Sequence, residues 1–195
     1  MIKSDKWIKD KAINNGLIFP FVPQLIRATD NFNVLSYGVS SYGYDIRLCP
    51  SEFKVFSAIN SNALEINPKK FDLDSLINLP LRIDEDGSYF LLPAHSYGLG
   101  VTLETFQMPS NVSGIVLGKS TYARCSVVLN TTLLEAGWKG RLVLEFANTN
   151  ALPVRLFVEE GIGQVIFLES DEYCENPYSS DRKYQNQKGL TLAKV

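Results

Sequence analysis

A mainly β fold, either a barrel or a sandwich with one short helix ahead of it, is what this sequence predicts, and three observations carry the prediction. Short apolar runs rich in β-branched and aromatic residues recur between turn signals from Glu52 onward. The one clear helical segment lies between Ser4 and Asn15. No sequence repeat or low-complexity tract interrupts the strand-like runs.

Ser4 to Asn15 begins on a capping serine, carries helix formers with the apolar residues Trp7, Ile8, Ala12 and Ile13, and meets Gly16 at its end, which predicts the N-terminal helix. From Leu17 to Val34 the pattern is irregular: Pro20 and Pro23 discourage regular structure, leaving room for a short helical turn around Gln24 to Arg27. The stretch LSYGVSSYGYDIRL alternates aromatics with Gly and Ser, so bulged strands or close backbone approaches are expected there. Packing is the first explanation of that stretch, and a ligand role for Asp45 or Arg47 the second. Next come FKVF, IDEDGSYFLLP with its Asp86-Gly87 hairpin signature, SYGLGVTLETF, VSGIVLG, SVVLNTT, RLVLEFAN, PVRLFV and GQVIFLE. Runs of this length and spacing make a barrel or a sandwich. The polar stretch Asn60 to Asn78 reads as a loop inserted between strands. The tail, YSSDRKYQNQKG, is polar with interleaved tyrosines, and reads either as a solvated end or as a lid whose Lys and Gln side chains fold over an anionic ligand.

With 195 residues, 45% of them hydrophobic, and a formal net charge of −2, the chain is expected to form one globular domain, residues 1–195. No Lys/Arg-rich stretch is present to displace phosphate counterions, which argues against non-specific nucleic-acid binding. No run is long enough to span a membrane, and Met1 leads into IKSDKWIKDK rather than the apolar core of a signal peptide, so the expected location is cytoplasmic. Cys49, Cys125 and Cys174 are odd in number and widely spaced, which leaves neither a disulfide framework nor a CxxC metal site and makes buried free thiols the expectation. His95, the lone histidine, sits in LLPAHSYG and reads as a turn residue with a structural or surface role.

Two features between Gly118 and Phe146 bear on chemistry. In GKSTYAR, Gly118 permits close backbone approach, Ser120 and Thr121 offer hydroxyls beside backbone N–H groups, and Lys119 and Arg124 add positive charge, a set suited to cradling phosphate. It is not the P-loop, since GxxxxGK[ST] is absent and no amphipathic helix follows. The second feature is Glu145 within Leu142-Val143-Leu144-Glu145-Phe146, a run with the content of a strand buried on both faces. A carboxylate buried there without partners would cost several kcal/mol, so donors or water must meet it. Alternation puts Glu145 on one face with Val143 and Arg141, yet Arg141 lies about 13 Å away along an extended strand, too far for an ion pair. A surface Glu on an edge strand, paired with some other Lys, is the alternative reading.

GKSTYARC, then NTTLLEAGWKGRLVLEFAN, GIGQVIFLESDEYCE and the KYQNQKG tail, with IKSDKWI, SSYGYDIR and EFKVF before them, closely resemble the dCTP deaminases of the trimeric dUTPase-like superfamily. The resemblance spans nearly the whole chain and keeps its motifs in order. It implies a mainly β, distorted antiparallel β-barrel of the dUTPase-like, β-clip type, assembled as a homotrimer with active sites at subunit interfaces. The implied reaction turns dCTP into dUTP and ammonia, supplying dUTP for dUMP and dTTP synthesis, with Mg2+ carried by the triphosphate and dTTP or dUTP as further ligands. By position, Glu145 becomes the catalytic carboxylate, assisted by Arg124 and Ser120. Lys119, Ser120, Thr121 and Arg124 fall in the phosphate-binding turn; Thr132, Glu135 and Val143 approach the base and sugar; Gln164, Tyr178, Lys183 and Gln187 complete the nucleotide contacts. Residues 178–195 would then be a nucleotide-closing tail.

A zinc deaminase would need a His/Cys/Cys or three-cysteine site with H-x-E and P-C-x-x-C signatures; the sequence has neither, so no zinc is expected and a general base must activate the water. Glu145 would take the proton from water attacking C4, then deliver protons to N3 and the departing amine. Arg124 either binds phosphate or helps position Glu145 and the water. Related sequences commonly read NVTPLEPEWEG where this one reads NTTLLEAGWKG, so prolines are missing at Leu133 and Ala136, and each loss frees the loop by about 0.4 to 1 kcal/mol. Three rivals stand beside the deaminase: a bifunctional enzyme releasing dUMP and pyrophosphate, a dUTPase proper, and a non-catalytic nucleotide-binding module.

Overall fold

Ser4 is extended ahead of helix α1 (Asp5–Asn15), and Gly16 ends it in the left-handed conformation at φ 68°. Leu17 N–H then donates to the Lys11 carbonyl at 3.1 Å, closing the helix as Gly16 predicts, whereas the Ser4 side chain makes no capping hydrogen bond. Ile8 and Ala12 face the core, and Trp7 packs on Phe167 with ring centroids 6.1 Å apart. The computed structural model describes residues 1–29, 33–57 and 65–194.

The strands in chain order are β1 (Ile18–Phe19), β2 (Ile26–Ala28), β3 (Asn33–Val39), β4 (Tyr44–Arg47), β5 (Lys54–Phe56), β6 (Leu76–Asn78) and β7 (Arg82–Asp84). There follow β8 (Gly87–Leu92), β9 (Tyr97–Gln107), β10 (Val112–Gly118), helix α2 (Ser120–Arg124), β11 (Val127–Asn130), β12 (Lys139–Asn148), β13 (Val154–Phe157) and β14 (Gly161–Glu169). Each run singled out after Glu52 forms a strand. All strand pairs are antiparallel. One sheet runs β11-β12-β9-β5-β6 with β1 beside β9, a second β10-β14-β4-β3-β2, and a third β13-β8-β7. The barrel is therefore distorted, split into three sheets instead of one closed ring.

The core between the sheets holds Val101, Phe106, Leu144, Phe146, Val165 and Phe167, each at 0% exposure. Phe53 fills its centre, with ring centroids 5.2 Å from Phe90 and 5.6 Å from Phe146. Each such side chain taken out of water stabilises the fold by roughly 1.5 to 3 kcal/mol. Gly98 is required by that packing, because a Cβ there would lie 2.4 Å from a Phe53 ring carbon.

Several local expectations are corrected. Gln24 to Arg27 is not helical: a bend at Pro23 and Gln24 leads directly into β2, whose hydrogen bonds go to β3. Of the stretch read as a loop, residues 60–64 lie outside the described residues, while Leu73–Ser75 forms a 3-10 turn and 76–78 pair with β5. Asp72 caps that turn by accepting from Asp74 N–H. The β7–β8 hairpin turns at Glu85 and Asp86, with Gly87 opening β8 at φ 126° opposite Asp84. Of the three free thiols only Cys49 is buried; Cys125 and Cys174 are exposed. His95 is an exposed turn residue at φ 50°. Among the described residues no helix is long and apolar enough to cross a membrane.

Candidate active site

β12 alternates strictly: Leu142, Leu144 and Phe146 are buried, while Arg141, Val143 and Glu145 on the other face are only half-buried. The strand is thus not enclosed on both sides. Its second face opens into a cavity of about 590 Å3, and Val143 and Glu145 line it. Opposite them runs the segment carrying Thr132, Leu133, Leu134, Glu135 and Trp138. An aromatic wall of Phe56, Phe71 and Tyr97 and the tail residues Tyr178, Lys183 and Gln187 complete the enclosure.

Glu145 finds its donors within the sheet. Asn130 lies directly opposite on β11, its Nδ2 donating to Oε2 at 2.5 Å, and Tyr97 Oη on β9 donates to the same oxygen at 3.3 Å. Arg141 turns away, its Nη1 3.3 Å from Cys49 Sγ. Around Leu133 and Ala136, where the prolines are missing, backbone bonds hold the segment: Leu134 and Gly114 exchange both, at 2.8 and 2.9 Å, and Tyr178 N–H donates to Ala136 O at 2.8 Å.

The tail is not a solvated end. Gln187 pairs with Gly140 in a parallel bridge, Arg141 N–H donates to Gln187 O at 2.9 Å, and Asn186 N–H donates to Lys139 O at 2.7 Å. Trp138 Nε1 donates to Tyr184 O at 2.8 Å, and Gln185 bonds Lys139 N–H and the Gly137 carbonyl. The Gln187 amide is fixed by its Nε2, which donates to Arg141 O, so its Oε1 is buried with no hydrogen-bond partner among the described residues.

Seven of the sequence-predicted site residues therefore meet in one cavity: Thr132, Glu135, Val143, Glu145, Tyr178, Lys183 and Gln187. Lys119, Ser120, Thr121, Arg124 and Gln164 do not line it. The GKST segment leads from β10 into a single helical turn: Ser120 to Arg124 form α2, with Arg124 Nη1 donating back to Ser120 O at 3.0 Å. Ser120, Thr121 and Arg124 are exposed. Tyr122 is buried beneath them, accepting Phe157 N–H at 2.9 Å, and burial pushes its hydroxyl far up. Lys119 is already engaged: its ammonium lies 2.7 Å from Asp45 and 2.9 Å from Ser36 Oγ. Gln164 Nε2 donates to the other Asp45 oxygen at 2.8 Å.

The ligand role held open for Asp45 and Arg47 gives way to structural pairing. Arg47 Nε donates to Glu104 Oε1 at 2.7 Å and its N–H to Oε2 at 2.9 Å. Glu104, at 0% exposure, is the fully buried carboxylate of this chain's described residues, and burial pushes it up against the pull of the Arg47 guanidinium. Sequence reasoning missed it, although VTLETF has the same Glu within an apolar run as VLEF. It also missed Tyr97, Asn130 and the Phe56–Phe71 wall, whose approach to Glu145 depends on strand register.

A profile of the dCTP deaminase-like family matches residues 2–170. The chain is similar to the protein named dCTP deaminase of Pseudomonas fluorescens (strain Pf0-1), 48% identical over 196 residues that cover 100% of this chain and 99% of that one. The dCTP deaminase of Nitrosococcus oceani is likewise 48% identical over 196 residues, with the same coverage. The fold is similar to the crystal structure of 2'-deoxycytidine 5'-triphosphate deaminase from Agrobacterium tumefaciens, at a TM-score of 0.56 and 13% identity. That match covers 87% of this chain and 48% of the other, so this chain spans about half of its length, and at that identity it speaks for the fold alone.

Proposed function

We propose that this chain, which belongs to the dCTP deaminase-like family, hydrolyses dCTP to dUTP and ammonia with Glu145 as its proton carrier. Relatives named dCTP deaminase at 48% identity over the full length support the substrate. The observation that carries the reading is the single cavity wall that Glu145 shares with Thr132, Glu135, Val143, Tyr178, Lys183 and Gln187. A carboxylate on that wall is placed to act on water at a carbon that bears an exocyclic amine.

Glu145 takes a proton from water as the water oxygen bonds to C4 and passes it to N3, then takes the proton of the new C4 hydroxyl and passes it to the amine nitrogen. The C4–N bond then breaks with its electron pair leaving on nitrogen, so dCTP and water become dUTP and ammonia. Thr132, Glu135, Val143, Tyr178 and Lys183 surround base and sugar, and residues 178–195 close over them as part of the single domain 1–195. Ser120, Thr121 and Arg124, with Lys119 and Gln164 behind them, bind phosphate in the site of a neighbouring copy, and Mg2+ arrives on the triphosphate as part of the substrate. A homotrimer is supported by the apolar side chains exposed around that turn, Ile115, Leu117, Val128 and Leu133. dUTP and dTTP, which share the triphosphate, are further ligands, and the product supplies dUMP and dTTP synthesis in the cytoplasm.

Incubating the protein with dCTP and Mg2+, measuring ammonia and resolving dUTP from dUMP tests the reading. Ammonia with dUTP is the expected result. Ammonia with dUMP and pyrophosphate makes the enzyme bifunctional, and the absence of ammonia overturns the proposal.

A further inference from the structure

Two side chains that have no part in the reaction as proposed above both terminate on one atom of its carboxylate. Asn130 on β11 and Tyr97 on β9 flank β12 from either side and both donate to Oε2 of Glu145, at 2.5 and 3.3 Å. Asn130 stands straight across the pair from Glu145. Tyr97 reaches it diagonally, since Glu145 pairs with Leu99 and Tyr97 with Ala147. An ionised carboxylate only accepts, so the Asn130 amide must present its nitrogen and the tyrosine its proton. No ion pair reaches Glu145 among the described residues.

We infer that Tyr97 and Asn130 are positioning residues for the deamination: by donating to the same oxygen they hold the Glu145 carboxylate in one orientation and reserve Oε1 for the proton it carries. The inference rests on the general-base reading of Glu145. The ring of Tyr97 is itself buttressed, with Phe56 at 6.0 Å and Phe71 a further 6.0 Å behind it, edge-on at 81°. Desolvation and the charge of Glu145 push the Tyr97 hydroxyl up, so it keeps its proton and remains a donor. A carboxylate that exchanges protons several times per turnover gains from such a fixed, doubly anchored oxygen, because the free oxygen then needs no reorientation between steps.

Other charged groups face the same carboxylate. Lys54 shares its cross-strand row through Leu99, and Glu135, Arg182 and Lys183 line the cavity with Tyr178 and Tyr184. These are common to every variant below, so a shift between variants reports the two donors.

The test is the pH dependence of kcat and KM for dCTP in the intact protein, Tyr97→Phe, Asn130→Ala and Glu145→Gln. Tyr97→Phe keeps the ring on Phe56, and Asn130 is an exposed residue of an edge strand, so both variants are expected to fold, with melting curves as the check. Each should lower kcat by about tenfold while KM for dCTP stays within about twofold. The acidic limb of kcat should move to higher pH, because each substitution removes a donor that favours the ionised carboxylate. A packing defect would not move that limb. Unchanged kcat with an unmoved limb in both variants, or an effect confined to KM, overturns the inference while an inactive Glu145→Gln leaves the general-base reading standing. A Glu145→Gln protein with near-normal turnover overturns that reading, and the positioning role with it.

Discussion

Asn130 and Glu145 face each other across the β11–β12 pair, amide nitrogen 2.5 Å from carboxylate oxygen. Since β11 is the last strand of its sheet, the carboxylate lies one strand from an edge. The strand at that edge is entered from α2, which carries Ser120, Thr121 and Arg124 on the outside of the molecule. One chain therefore does not bring the exposed Ser120, Thr121 and Arg124 and the Glu145 carboxylate into a single cavity.

Glu145→Gln removes the proposed proton carrier while keeping the shape and the Oε2 contacts. Turnover of dCTP should drop by about a thousandfold or more, with nucleotide affinity within a few fold of the parent, as an interaction used only in the transition state requires. Single-turnover kinetics beside equilibrium titration with dCTP separates the two quantities. Near-normal turnover would remove Glu145 from the mechanism.

The proposed sharing of sites between copies predicts complementation. Glu145→Gln and Arg124→Ala chains are each expected to be nearly inactive alone, yet a co-expressed mixture assembles some sites from one intact carboxylate and one intact turn. For random cyclic trimers roughly a quarter of the sites regain both. Mixed-subunit activity at that level supports the interface site, and no recovery in demonstrably mixed oligomers means that each chain acts alone.

What was legible in the sequence was what local signals decide. Gly16 ends α1, and alternation between turn residues marks β5 and the strands from β7 to β14, because capping and side-chain period act over a few residues. What stayed hidden depends on pairing across the chain. Leu142 to Phe146 looked buried on both faces, but the cavity opens beside Val143 and Glu145 only once the tail and the Thr132 segment have folded against it. Lys119 looked free for phosphate, yet a carboxylate 74 residues earlier, Asp45, holds it. The tail looked solvated because its contacts use the backbone of Lys139 and Arg141, which no side-chain pattern announces.

Gly140 makes that docking possible. Its φ of +150° and the closeness of the tail leave no room for a Cβ, which would lie 2.9 Å from Gln187 O and 3.0 Å from its N. Gly140→Ala should therefore push the tail off β12 without emptying the core. Tryptic cleavage at Lys183 and Lys188 should accelerate, and kcat/KM for dCTP should fall by about tenfold or more if the tail closes the site. Faster cleavage with unchanged kcat/KM would show the tail to be a structural strap with no part in catalysis.

The Arg47–Glu104 pair yields a prediction about stability that is independent of function. Glu104 is wholly buried, and both its oxygens accept from Arg47. Arg47→Met leaves that carboxylate with neither its charge partner nor its side-chain donor, which should cost about 3 to 5 kcal/mol. Adding Glu104→Leu to it removes the orphaned charge, so the double variant should recover most of that loss, the attraction within the pair having been offset by the desolvation of both ions. Urea unfolding of the four proteins in the cycle measures the coupling. If the double variant is no more stable than Arg47→Met alone, the cost lies in the shape of the site and not in the uncompensated charge, and burial of Glu104 is tolerated for its packing instead.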